Sequence, residues 1–382
     1  MDTKKTVLLL GVTVFLLLRG PYLAAQNETP ENAQETVPIS ETGEIAGAEF
    51  LIEIPENWNG GLLMYAHGYL MVTQPAKFVP GITRVGHRLG YAVAQSKYSR
   101  QGWAAREGIL DTEALRRYFV AKYGETYPTI ISGHSQGGCI AFATVERYPE
   151  VYDGALPMCG VPVPALDFFK RQVFDVRLLF DYYLPGLPGS VTEFPEGTDT
   201  FVAVMKKTQE LIQANPDRAE RFVRLVNLPG VKKVPLVIAL WSEMLRELHE
   251  RTGGNAFDNR DTIYTGSDDD VKLNHEIPRY ESDAASVEYL RQWATLTGRI
   301  SDPVVSLHTL VDELVPTEIT ESYNQLTKNA GTSDLFVQLY VDRDNHCQFT
   351  EDEMVEALAR LTKWIKEGKR PGAGDITKQK GS

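Results

Sequence analysis

The stretch TIISGHSQGGCIAFATVERYPE, Thr129–Glu150, sets one serine between two glycines, after a β-branched run and before a helix-like pattern. The pattern Gly-x-Ser-x-Gly alone says little: with 15 serines and 31 glycines in 382 residues it arises by chance about 0.1 times. Position gives it weight. Thr129–Ser132 reads as a strand and Gln136 onward as a helix, so Ser135 falls at a strand-to-helix turn. A nucleophile at such an elbow takes strained backbone angles while two backbones pass close together, and Gly133, Gly137 and Gly138 leave room for that. The helix N-terminus adds free N–H groups for a developing negative charge. The competing reading is an ordinary turn serine, and only partners elsewhere in the chain can decide between them.

A serine hydroxyl needs a base, and the base needs an acid to orient it. Two late apolar runs supply candidates. PVVSLHTLVDELVP, Pro303–Pro316, reads as a strand with Asp312 in the loop at its carboxyl end. LFVQLYVDRDNHCQF, Leu335–Phe349, reads as the next strand with His346 in the loop after it. Alone, Asp312 would suit a helix N-cap and His346 an exposed loop. Together with Ser135 they form a set in the order serine, acid, histidine. The competitors fit less well. His308 lies inside a strand, His134 is held by the elbow, and His87, His249 and His275 fall on helix or cap segments. Asp342 and Asp344 precede His346 too closely, and Asp302 stands at a strand's start. For an oxyanion hole the backbone N–H of Gln136 follows the nucleophile. The loop YAHGYL supplies a second donor, with Gly68 allowing close approach and Tyr69 as the donor.

Around these residues strands alternate with helices. EFLIEI, GLLMYAHG, YAVAQSKY, YPTIISGH and VYDGALPMCG read as strands, with helical patterns between several of them. This alternation predicts an α/β fold, a mainly parallel sheet with helices on both faces. In such sheets function gathers at the carboxyl ends of the strands. The chain divides into core residues 46–161 and 302–366, separated by a mostly helical cap insertion at 162–301. Phe168, Phe169, Tyr182, Tyr183 and Trp241 in that cap are candidates for a pocket lining or for plain core.

The ends read differently. Lys4 and Lys5 precede the charge-free run Thr6–Leu18, and Ala24 and Ala25 follow it. That pattern predicts a signal peptide over 1–25 and a secreted or periplasmic protein without stable membrane insertion after cleavage; an uncleaved anchor is the lesser reading. Residues 26–45 read as a disordered linker and 367–382 as a flexible tail. A net charge of −12 without a basic stripe argues against nucleic acid as a partner. No Cys/His cluster has zinc spacing, and the acidic loop FDNRDTIYTGSDDD lacks the order of an EF-hand, so no metal is expected. Cys139, Cys159 and Cys347 allow at most one internal disulfide.

At the His67-Gly68 loop, GHSQGG, HTLVDELVP and DNHCQF the chain resembles the α/β-hydrolase superfamily. The resemblance implies a mainly parallel eight-stranded sheet and a cofactor-free Ser–His–Asp triad: Ser135, His346 and Asp312. His346-Cys347 is also similar to the tannase and fungal-type feruloyl esterase group, where a disulfide joins cysteines next to the catalytic serine and histidine. Here His134, not a cysteine, precedes Ser135. Cys347 then has Cys159 or Cys139 as a partner, or all three stay as thiols. The expected activity is hydrolysis of small or polymer-attached carboxylic esters, feruloyl or aryl esters included. A serine peptidase or amidase of the same fold is the alternative, with the acids Glu243, Glu247 and Ser267–Asp270 available to grip an amino terminus. A non-catalytic binding protein on the same scaffold is the third reading.

Overall fold

Residues 39–194 and 200–378 are described by the computed structural model. The signal peptide expected at 1–25 and most of the expected linker lie outside the described residues. Nine strands form one sheet: β1 Ile39–Ile45, β2 Ala48–Ile54, β3 Leu62–Ala66, β4 Ala92–Ser96, β5 Thr129–His134, β6 Gly154–Met158, β7 Val304–Val311, β8 Phe336–Asp344 and β9 Gly374–Asp375. Their spatial order is β1-β2-β4-β3-β5-β6-β7-β8-β9. The β1/β2 and β2/β4 pairs are antiparallel, and every later pair is parallel.

β3, β4, β5 and β6 are buried at every position. This is why they read as near-continuous apolar runs: parallel strands covered on both faces have no solvent side to alternate with. On one face, α1 Pro80–Arg88 and α12 Glu351–Glu367 press Ile82, Val85, Leu358 and Leu361 against Leu63, Val93, Ile130 and Leu339. On the other, α2 Ala105–Tyr123, α3 Gln136–Arg147 and α11 Thr320–Ala330 contribute Phe119, Phe142 and Tyr323 against Ile52, Leu62 and Ile131. α12 begins with a capping box, Thr350 and Glu353 each bonding the other's backbone N–H, and ends at Gly368 with φ 68°.

The sheet exceeds the expected eight strands by one, and the described residues differ from expectation at 39–45 and 374–375. β1 occupies 39–45, inside the segment read as disordered linker. Its sequence ISETGEI shows no apolar alternation because it is a mostly exposed edge strand. Ala46 and Gly47 turn it back onto β2 with φ of 51° and 87°, the left-handed pair that a two-residue hairpin needs. Glu41 then fastens it to α2, accepting from Tyr118 at 2.6 Å, Lys122 at 2.7 Å and Tyr123. β9 lies in the segment read as a flexible tail and pairs with Leu339–Tyr340 of β8.

Between β6 and β7 run α4 Ala165–Phe168, a π turn at Phe169–Phe174, α5 Asp175–Tyr183, α6 Thr200–Ala214, α7 Pro216–Leu225, α8 Val234–Thr252, α9 Asp270–Glu276 and α10 Ala284–Ala294. These helices have their own aromatic core, with Phe169, Phe174, Phe180 and Phe222 buried. α8 ties the insertion to α2 and the loop ahead of it. Glu247 accepts the backbone N–H of Trp103 at 2.9 Å, and the buried Arg251 joins Glu247 to Glu107 of α2.

Candidate active site

Ser135 sits between β5 and α3 with φ 56° and ψ −120°, a backbone conformation that few non-glycine residues adopt. The glycines around it have no space for a side chain. A Cβ on Gly133 would strike the carbonyl oxygens of Gly137 and Ala66, and one on Gly137 would strike Ala66 and His67. One on Gly138 would lie 2.6 Å from the Gly160 Cα. The elbow therefore depends on these positions lacking a Cβ.

The loops after β7 and β8 bring the expected acid and histidine to this point. His346 Nε2 lies 2.8 Å from Ser135 Oγ, and His346 Nδ1 lies 2.7 Å from Asp312 Oδ2. The other Asp312 oxygen accepts the backbone N–H groups of Leu314 and Val315 at 2.9 and 2.8 Å. The β7/β8 register shifts between the pairs Thr309–Val341 and Val311–Asp344, which puts one extra residue in β8 just ahead of His346. Such an irregularity redirects the side chains that follow it. His308, read from sequence as lying inside its strand, shares its Nε2 between Val315 O at 2.9 Å and Asp312 Oδ2 at 3.4 Å.

Charge settles the protonation pattern. Burial pushes the Asp312 carboxyl up, but the His346 charge and the bonds from His308 and His346 hold it well below the usual carboxylate range. For His346, burial pulls the imidazole down while the Asp312 charge and hydrogen bond raise it more, so it ends above its ordinary 6.5. His134 next door is pulled to about 4 by burial, helped by the His346 charge, and faces Tyr65 Oη at 3.0 Å. It is neutral near pH 7.

The loop after β3 crosses directly over the elbow: a Cβ on Gly68 would lie 3.4 Å from Ser135 Cβ. His67 is held by stacking on Tyr98 at 3.9 Å between centroids, and Tyr98 Oη donates to His67 O at 3.2 Å. Gln136 opens α3, so its backbone N–H has no partner within the helix. Tyr69, Gln136 and Ser135 all line one narrow cavity of about 40 Å³, roofed by Phe168 and by Leu240, Trp241 and Met244 of α8. Of the cap aromatics singled out from sequence, Phe168 and Trp241 reach the cavity and Phe169 is core.

A disulfide joins Cys159, just beyond β6, to Cys347, with Cα atoms 5.3 Å apart. Cys139 stays a buried thiol, pushed up to about 12 mainly by burial, and is chemically quiet. The bridge fastens the residue after His346 to the strand beside the nucleophile's own. Lys233 from the cap adds a second tie, bonding Glu313 at 3.1 Å and Asn345. Breaking the bridge with Cys159→Ser is expected to cost about 2–5 kcal/mol of stability, since it spans 188 residues. It is also expected to lower kcat by up to ~100-fold through displacement of His346. Unfolding curves and initial rates before and after reduction check both, and an unchanged rate would mean that the loop holds without it.

Strand order with antiparallel β1 and β2, a glycine-bounded elbow after β5, and acid and histidine after β7 and β8 form one topology. Residues 46–235 match a tannase-like family of unknown function (DUF6351). The chain has an α/β-hydrolase fold. It is 21% identical to an o-phthalyl amidase of Xanthobacter agilis, over 90% of this chain and 91% of that one. Among solved structures, an esterase of Pyrococcus furiosus aligns at 12% identity and TM-score 0.46, over 87% of this chain and 96% of that one. A puromycin-hydrolyzing peptidase of Mycobacterium tuberculosis aligns at 13% and 0.48, over 91% of this chain and 42% of that one. The chain departs from the tannase disulfide pattern by placing one cysteine after β6 instead of before the serine. His308, Tyr98 and Lys233 escape a sequence reading, because each acts through a contact that only the folded loops create.

Proposed function

We propose that this hydrolase cleaves carboxylic esters by a serine mechanism. The observation that carries the reading is the unbroken hydrogen-bonded run Ser135–His346–Asp312 opening onto a small, mostly apolar cavity. Ser135 Oγ attacks the ester carbonyl while His346 Nε2 takes its proton. Asp312 holds the Nδ1–H tautomer and stabilises the imidazolium. The backbone N–H groups of Tyr69 and Gln136 receive the tetrahedral oxyanion. His346 returns the proton to the leaving alcohol, then activates a water that releases the acid. The sequence suggests export, and a disulfide beside the site supports an oxidising compartment.

The resemblance to the Xanthobacter amidase favours amide cleavage as the second reading, by the same three residues. A peptidase gripping a free amino terminus has less support. Glu243 is paired with Arg246 and Glu247 with Arg251, while Asp270 is bonded to Ser267. Reaction with a fluorophosphonate probe, followed by peptide mapping, is expected to label Ser135; an unlabelled folded protein would favour the binding-protein reading. Matched p-nitrophenyl esters and p-nitroanilides are expected to be cleaved with the ester ahead, and anilide turnover ahead of ester would move the assignment to amidase.

A further inference from the structure

His346 is flanked by two non-glycine residues in the left-handed region, Asn345 at φ 76° and Cys347 at φ 57°. Surrounding contacts must enforce such a backbone. Cys347 is held by its bridge to Cys159. Asn345 is held from the cap, where Lys233 Nζ donates to its Oδ1. The same ammonium donates to Glu313 Oε1 at 3.1 Å, and Glu313 stands next to Asp312. One side chain therefore joins the neighbour of the acid to the neighbour of the base. Lys233 ends the short turn Val231–Lys233 that leads into α8, the helix whose Leu240, Trp241 and Met244 roof the cavity at Ser135.

Charge gives this junction a second effect. Glu313 is buried, its Oε2 has no hydrogen-bond partner among the described residues, and Lys233 is the cation it meets. A buried carboxylate that loses its cation is left uncompensated. His346 feels that charge: burial lowers the imidazole, Asp312 raises it, and Glu313 raises it further. The other groups around His346 do not stand in for Lys233. His134 is neutral near pH 7, and His308 is engaged with Val315 and Asp312. Arg343 of β8 is paired with Glu353 at 2.7 Å, and Asp342 and Asp344 on the same strand are exposed to water.

We propose that Lys233 is a positioning residue of the triad, a cap cation that locks the Asp312 and His346 loops together and offsets the Glu313 charge beside the imidazole. This rests on the triad of the serine-hydrolase reading and adds a side chain from the cap to it. Two measurements test it on wild type, Lys233→Met, Glu313→Gln, Lys233→Arg and the Met/Gln double variant. One is the pH profile of kcat on p-nitrophenyl butyrate. The other is the titration of the His346 imidazole by NMR without substrate, its signal assigned by its loss in His346→Gln.

Lys233→Met leaves the Glu313 charge unbalanced, which favours the imidazolium, so the acid limb is expected to move to higher pH. At pH 6, below the raised His346 value, kcat relative to the variant's own plateau is expected to fall about three- to tenfold. The plateau itself is expected to fall about tenfold as the two loops loosen. Glu313→Gln keeps an oxygen for Lys233 but removes the charge, so its limb is expected to move to lower pH, with a gain at pH 6 of about the same factor. The double variant is expected to fall between the two, and Lys233→Arg to restore the wild-type profile. The imidazole titration is expected to move in the same directions. A limb and a titration unmoved in a single variant, or moved the same way in both, would overturn the proposal. So would an arginine that fails to restore the profile. If Lys233→Met does not fold, Glu313→Gln and Lys233→Arg decide by the same criteria. The expected titration shifts in a protein that turns over no ester would overturn the ester reading and leave the role of Lys233 standing.

Discussion

Ser135→Ala is expected to lower kcat on p-nitrophenyl esters by about 10⁶-fold while the protein stays folded. The size of the loss follows from how few groups can replace the hydroxyl. His346 Nε2 contacts Ser135 Oγ at 2.8 Å, and burial holds His134 neutral and bonded to Tyr65, so no second nucleophile–base pair stands at the elbow. Cys139 is four residues along α3, buried, and its thiol is pushed far from ionisation. Stability should change little. The φ of 56° is as strained for alanine as for serine, so the substitution neither relieves nor adds backbone strain. The conformation is enforced by Gly133, Gly137 and Gly138, which remain. A thermal melt within a few degrees of wild type, beside a loss of turnover and of fluorophosphonate labelling, would meet the expectation. Retained turnover in a folded variant would remove Ser135 from the mechanism.

The parts of this site that could be read from sequence have local signatures. The elbow announces itself because a strained serine between close-packed backbones requires glycines at fixed offsets. Asp312 and His346 were legible because each follows a long apolar run, and strand ends are where an open parallel sheet gathers side chains. The cap was legible only as helical. Its contribution to the cavity depends on which faces of α8 turn inward, and Trp241 and Met244 look no different in sequence from Leu245 and Leu248, which pack in the cap core. β1 was hidden for another reason. Its stabilisation comes from Glu41 meeting Tyr118, Tyr123 and Lys122, about 80 residues away, so a hydrophobic pattern was never needed. The cysteine count limited the chain to one bridge, yet choosing Cys159 over Cys139 required knowing that the end of β6 lies beside the His346 loop. His308 shows the same limit. Four residues before Asp312, it reads only as a histidine inside a strand, and its bond to the carboxylate appears only once Val315 folds back over it.

Asp312→Asn is expected to lower kcat by about 10⁴-fold through the tautomer of His346, with little loss of packing. The two carboxylate oxygens are not equivalent. One accepts from the Leu314 and Val315 backbone N–H groups, so in the variant the amide oxygen must stay there. The amide NH₂ then takes the position of the other oxygen and points at His346 Nδ1 and His308 Nε2. Facing a donor, His346 must carry its proton on Nε2, which can no longer accept from Ser135. The pH profile should move as well. Wild-type turnover needs neutral His346, whose pKa stands above its ordinary 6.5, so the rate falls as pH drops through that raised value. Without Asp312, burial still lowers the imidazole and only the weaker Glu313 charge raises it, so the acid limb of the residual activity should shift to lower pH. Folding should respond on the acid side too. The Asp312 carboxyl, held below its ordinary 3.8, contributes stability that is present above that value and lost on further acidification, and the Asn variant should lack that dependence. A variant with the rate loss but an unmoved acid limb would mean that Asp312 positions the ring without governing its charge.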